Sequence, residues 1–173
     1  MQIRKRYLVL AALGLGAAFY LRGKRVENVV ADLLLELPAQ GRSLNKHLES
    51  LERSGQALEN RLKDLPDTPE NREQLRHILS LERWGTNRLR VFAGAAFERD
   101  RSSLYRPAEH LDWTELREDF ADARFELLEV ARSLEGTLPG LKVEHNQLGL
   151  LSRGAWLFYL NAHASLEGLK FQA

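Results

Sequence analysis

Leu44, Leu48, Leu51, Gly55, Leu58, Leu62 and Leu65 stand alternately four and three residues apart, a spacing that gathers all seven on one stripe of an α-helix and on neither face of a strand. A leucine stripe of that length needs other helices to bury it, so the segment predicts a packed helix rather than an isolated one. Pro66-Asp67-Thr68-Pro69 ends it, and further helical segments follow. One is expected from about Glu70 to Gly94. The next begins at Asp112, where Asp112-x-x-Glu115 has the form of a capping box, and carries Leu116, Phe120, Ala123, Leu127, Val130 and Leu134 to Gly136. The last takes Ser152 as N-cap and runs to the C-terminus. Strand-like alternation and Asn-Gly or Asp-Gly hairpin signals are missing. At 173 residues one domain is expected, all-α, an antiparallel four-helix bundle over residues 43–173.

Ahead of this body the sequence changes character. Tyr7 to Leu21 is a run of 15 uncharged, nearly all apolar residues between two basic clusters, Arg4-Lys5-Arg6 and Arg22 to Arg25. As a helix it reaches about 22 Å, which spans a bilayer core only if the flanking Arg and Lys side chains snorkel to the headgroups. Three placements suit such a run: an uncleaved single membrane anchor, a cleaved signal segment with Gly16 and Ala18 as the best small residues, and a peripheral or buried helix. With three bases on each side, orientation cannot be read from charge. Ala12-xxx-Gly16 and Gly14-xxx-Ala18 permit close helix packing and, with it, a homodimer. Residues 1–25 thus form an N-terminal hydrophobic helix or signal segment. Val26, Val29, Val30, Leu33, Leu34 and Leu37 then make an amphipathic connector within 26–42, ended by Pro38 and Gly41.

The whole chain carries a net charge of +1, yet residues 1–25 hold six bases and no acid, leaving 19 bases against 24 acids in the body. A body at −5 repels phosphate backbones, so nucleic acid is not expected as a partner. The absence of cysteine removes disulfides, thiolate zinc sites and cysteine nucleophiles. No Gly-x-Ser-x-Gly elbow is present, and Gly14-Leu15-Gly16, with no strand before it, is no nucleotide loop.

Metal chemistry remains. His163 and Glu167 are four apart on the last helix and project from one face, where they could grip an ion from adjacent turns. That face also carries Trp156, Tyr159 and Leu160, so it points inward. His-x3-Glu is also the spacing of an ordinary polar pair. His77 lies on the second helix among apolar residues, and Glu82, on an apolar face of the same helix, needs a partner if buried. His110 is expected exposed in its loop, and His47 solvated on the polar side of the first helix.

The order of these segments carries a resemblance. RHILSLERWGTNRL (76–89), YRPAEHLDWTELREDFADARFELLEVA (105–131) and HNQLGLLSRGAWLFYLNAHASLEGLKFQ (145–172) resemble the DinB-like, or YfiT-like, superfamily. Its His-x4-Glu matches His77 and Glu82. Its Pro…Trp…Leu…Phe…Arg segment matches Pro107, Trp113, Leu116, Phe120 and Arg124, and its His-x3-Gly before a Trp-bearing helix matches His145, Gly149 and Trp156. The closing His-x3-His falls on His163 and Glu167. The resemblance covers residues 43–173 and implies a four-helix bundle holding a divalent metal, often zinc or nickel, on three histidines. Relatives include transferases that use small thiols such as bacillithiol or mycothiol, and a maleylpyruvate isomerase.

Carried across, the metal ligands would be His77, His163 and Glu167, the last a departure from histidine. Two histidines and a carboxylate with open positions also describe non-haem iron sites. PENREQLR (69–76) stands where relatives show Gly-Trp or Trp-Ser. Glu82 and His145 are the candidates for orienting a ligand or taking a proton as catalytic groups. Two functions follow from the resemblance: a membrane-tethered metal-dependent enzyme, a thiol-linked transferase or hydrolase acting on a small thiol or other small molecule, or a non-catalytic helical binding module whose site has degenerated.

Overall fold

A computed structural model describes residues 31–138 and 140–173. They are mostly helical, with one small two-stranded sheet. Four long helices dominate: α1 (Leu44–Lys63), α2 (Pro69–Phe92), α3 (Trp113–Ser133) and α4 (Arg153–Gly168). Each begins with a side-chain cap that satisfies an otherwise orphaned N–H. Ser43 accepts from Lys46 N, Thr68 from Asn71 N and Ser152 from Ala155 N. Asp112 and Glu115 close the capping box in both directions, at 2.9 and 2.8 Å.

α1 packs against α3 and α4, and α2 packs against the same two, so the consecutive pair α1 and α2 sits across the molecule rather than side by side. The buried apolar residues form two clusters. Trp84, Leu127, Leu151, Trp156 and Leu160 belong to one, and Leu62, Leu75, Ile78, Phe120 and Phe171 to the other. Gly85 lets α2 and α4 approach closely: a Cβ there would stand 2.2 Å from a methyl carbon of Leu160, which would have to move aside.

Four expectations need correction. A β-hairpin exists: β1 (Lys142–His145) pairs antiparallel with β2 (Gly149–Ser152). Each strand is four residues, too short for alternation to register, and the turn closes through three residues with Gly149 at φ 75° instead of an Asn-Gly pair. Second, α4 stops at Gly168 and the tail folds back, Phe171 packing on Trp113 at 6.3 Å between ring centroids. Arg61 donates to the Gly168 carbonyl, while Asn71 Nδ2 donates to Gln172 O and Asn71 Oδ1 accepts from Gln172 N, both at 2.9 Å.

Third, Pro38 does not end the connector. The chain runs as a π-helical turn (Asp32–Glu36) directly into a helical turn (Leu37–Ala39), so that Pro38 lies inside one continuous helical run that ends at Ala39. Gly41, at φ 75°, follows the turn. Leu35 and Ala39 are buried in the first core cluster. Fourth, His47 is buried, 3% exposed, because the connector folds over its side of α1. Among the described residues no helix is long and apolar enough to cross a membrane. The runs Tyr7–Leu21 and Val26–Val30 lie outside the described residues.

Candidate metal centre

α2 and α4 run antiparallel, since Gly85 meets Leu160 while Gln74, eleven residues earlier, meets Glu167. This brings His77 opposite the C-terminal half of α4. One ligand atom from each of His77, His163 and Glu167 lies within 4.8 Å of the other two. His77 Nε2 is 3.8 Å from Glu167 Oε2, and the two imidazole rings are 5.2 Å apart at 54°. Two donors on one ion at ~2.1 Å stand at most ~4.2 Å apart, so a small side-chain adjustment is enough to place all three on a common centre.

The chemistry of the set fits a cation. His163 Nδ1 is buried with no hydrogen-bond partner. Burial, and then the neighbouring His77, lower the pKa of His163 to about 4, so its ring is neutral with a lone pair available at pH 7. Burial pushes the Glu167 carboxyl upward, but hydrogen bonds from Lys170 and Gln74 and the nearby His163 outweigh it and hold the group below its ordinary value. It is an ionised oxygen donor. The His77 side chain is 49% exposed and that of Glu167 14%, which leaves the solvent side of the centre open at His77.

Two residues absent from the sequence reading complete the site. Gln74 Nε2 donates to Glu167 Oε2 at 2.8 Å and to its backbone carbonyl at 3.1 Å, and so orients the carboxylate. Lys170 Nζ sits 2.7 Å from Glu167 Oε1. The spacing held the signal, because Gln74 precedes His77 by three residues and Lys170 follows Glu167 by three, each one turn away. Tyr159, one turn before His163, walls the inner side with its ring 6.0 Å from that of His163.

Neither Glu82 nor His145 joins the three. Glu82, five residues after His77, faces α3, where its Oε1 accepts from Arg124 in a fully buried ion pair. Burial pushes its pKa up and Arg124 pulls it down. Gly55 makes room for Arg124, as a Cβ there would stand 2.9 Å from Arg124 Cγ. The partner that burial of Glu82 demands is thus supplied.

His145 lies beyond Tyr159, ringed by Tyr159, Trp84 and Trp156 at 4.9, 5.0 and 5.2 Å. Its Nδ1 accepts from the backbone N–H of Gln147 and Leu148, at 3.2 and 3.1 Å, and so shapes the hairpin turn. Burial, followed by Arg88 and His163, lowers its pKa to about 3. His110 is exposed.

A second network organises the long loop after α2. Asp100 accepts from Arg88 at 2.5 Å, from the Trp84 indole at 2.8 Å and from the Tyr105 hydroxyl. Its backbone carbonyl accepts from Asn146 at 2.6 Å. No family model, no curated protein and no solved structure matches this chain.

Proposed function

We propose that His77, His163 and Glu167 are the ligands of one divalent cation, zinc or nickel first and iron as the alternative. On this reading the chain is a DinB-like four-helix bundle tethered to the membrane through residues 7–21, and it is a metal-dependent enzyme, a transferase or hydrolase acting on a small thiol or other small molecule. The observation that carries it is the convergence of two imidazoles and a carboxylate, from two helices, with one ligand atom of each within 4.8 Å of the others.

A divalent ion in such a site supplies a Lewis-acidic position that lowers the pKa of a bound thiol or water. The residues around it set the rest. Two imidazoles and one carboxylate would leave a lower net charge at the ion than three imidazoles, which would weaken that acidification. Gln74 fixes the carboxylate and Lys170 offsets part of its charge. Tyr159, with the aromatic group around His145 behind it, closes the inner wall, so a substrate approaches past the half-exposed His77.

One observation favours the second reading, a non-catalytic helical binding module with a degenerate site: the Lys170 ammonium already engages Glu167, as in an ordinary ion pair. Equilibrium dialysis of the full chain in neutral detergent against zinc, nickel and iron tests the metal reading. About one ion per chain is expected, with loss in His163→Ala. Metal content no higher than that of His163→Ala under all three ions overturns it. Adding a small thiol to the cobalt-loaded protein tests the thiol-linked form of the enzyme, since a sulfur-to-cobalt charge-transfer band supports it over the module and the absence of the band overturns that form.

A further inference from the structure

A cavity of about 190 Å³ opens where α4 begins, some 14 Å of helix away from the metal centre. The connector forms one wall and the first turn of α4 the other. His47 projects into it from α1. The residue is 3% exposed, and its Nε2 is buried and makes no hydrogen bond with any described residue. Facing it is Gly154, where a Cβ would come within 3.5 Å of that Nε2, so the glycine keeps the opening clear.

The groups around the ring are mostly cationic. Burial chiefly, and then the Arg42 charge, lower the pKa of His47. The Ala39 carbonyl acts in the opposite sense and Arg153 adds to the lowering. Among the described residues neither arginine meets a carboxylate. The Arg42 guanidinium lies over the Phe158 ring at 5.3 Å, and Arg153 spends Nη1 on the Leu134 carbonyl at 2.6 Å and the Thr137 hydroxyl at 2.8 Å. The acid in the wall is Glu36. Its oxygens accept from Ser152 N at 2.8 Å and Ser152 Oγ at 2.6 Å and meet Lys142 Nζ at 3.2 Å. Its charge is therefore answered. Two arginines and a helix N-terminus line the cavity with this one carboxylate.

A buried ring nitrogen without a partner is costly. Two arginines that meet no carboxylate and the positive end of a 16-residue helix line the same cavity, which favours an anion over a metal ion or a neutral molecule. The volume is many times the ~10–15 Å³ that one water needs, room for a tetrahedral oxyanion.

We propose that this cavity is an oxyanion site that takes a phosphate group, held by Arg42, Arg153, His47 Nε2 and the backbone N–H groups of Arg153 and Gly154, which the Ser152 cap does not engage. Donors on several sides suit the many acceptor oxygens of phosphate better than a planar carboxylate. The phosphate comes from a lipid headgroup or from free phosphate. The apolar run that ends at Leu21 lies only 15 residues before Glu36, within reach of a bilayer surface. The site shares no residue with the metal centre, so either stands or falls alone.

The test is calorimetric titration of the full-length protein, in uncharged maltoside micelles, with inorganic phosphate. One phosphate per chain is expected. Gly154→Ala puts a methyl group into the opening without disturbing a helical backbone, and Arg42→Gln removes one donor; each weakens binding about tenfold or more. Arg90→Gln, on the surface of α2, is the control and binds as wild type, and circular dichroism verifies that every variant is folded. Doping the micelles with phosphatidylglycerol distinguishes the sources, with bound lipid read by native mass spectrometry. Competition with phosphate assigns the site to a headgroup, and unchanged phosphate affinity assigns it to free phosphate. Binding of neither probe, or binding of phosphate by Gly154→Ala and Arg42→Gln as by wild type, overturns the proposal.

Discussion

Glu167 serves two masters, since Oε2 faces His77 and Gln74 while Oε1 holds the Lys170 ammonium. A positive charge on the far oxygen reduces its donor strength toward a cation and repels the ion directly. Lys170→Met is therefore expected to tighten zinc binding about tenfold, ~1.4 kcal/mol, in a chelator-competition assay. Unchanged affinity would mean that the ion pair is a bystander. At this scale helical spacing singled out His163 and Glu167, while His77 was named with them only through the DinB-like resemblance. Glu82 was legible only as a residue in need of a partner. That the partner is Arg124 depends on Gly55, on a different helix, leaving room for the guanidinium.

At the level of elements, the approach of α2 to α4 decides whether the centre can assemble. Gly85 lies two turns beyond His77 on α2, and a methyl group there would collide with Leu160. Gly85→Ala is expected to cost about 1–3 kcal/mol, read from denaturant unfolding, because a packed interface cannot absorb the extra volume. It is also expected to weaken metal binding by spreading the two helices. Retained stability would show that α4 shifts freely. The helices themselves were readable from their stripes and caps, all four N-caps being Ser, Thr or Asp at the residue before the helix. The hairpin was not. Its strands are four residues long, and its pairing depends on tertiary neighbours: Trp156 donates its indole N–H to the Val143 carbonyl at 3.0 Å, and Glu36 holds Ser152.

For the whole molecule, histidines shielded from water link stability to pH: His47, whose pKa is lowered, and His145 and His163, whose shifts are larger. His145 and His163 have folded pKa values of about 3 and about 4, below the ordinary 6.5. The unfolded chain therefore binds more protons than the folded one between these limits. The contribution is complete above pH 6.5 and is lost as pH falls through this window. At pH 5 His145 and His163 each account for about 2 kcal/mol, taking 1.36 kcal/mol per pKa unit. The melting temperature of the metal-free protein is expected to drop steadily from pH 6.5 to 4.5, and His145→Asn to reduce the slope. A flat profile would show that the unfolded state carries the same shifts.

The connector adds a second test at this scale. Because Leu35 and Ala39 are buried and Glu36 binds the N-cap of α4, a fragment starting at residue 31 is expected to melt at a higher temperature than one starting at residue 43. Equal melting temperatures would make the connector dispensable to the core.

The local and periodic features were determined by the sequence alone: which segments are helical, where they begin, and that His163 and Glu167 share a face. These depend on interactions within a few residues, on capping oxygens, on 3.6-residue periodicity and on the φ restrictions of proline and glycine. Only the tertiary structure decided what is close across elements. It turned His47 from a solvated residue into the wall of a cavity, gave Glu82 to Arg124, and set His145 among three aromatic rings beyond Tyr159. Contacts between residues distant in the chain depend on how helices approach one another, and that approach is set by side-chain volume at single positions such as Gly85 and Gly55, which no periodicity records.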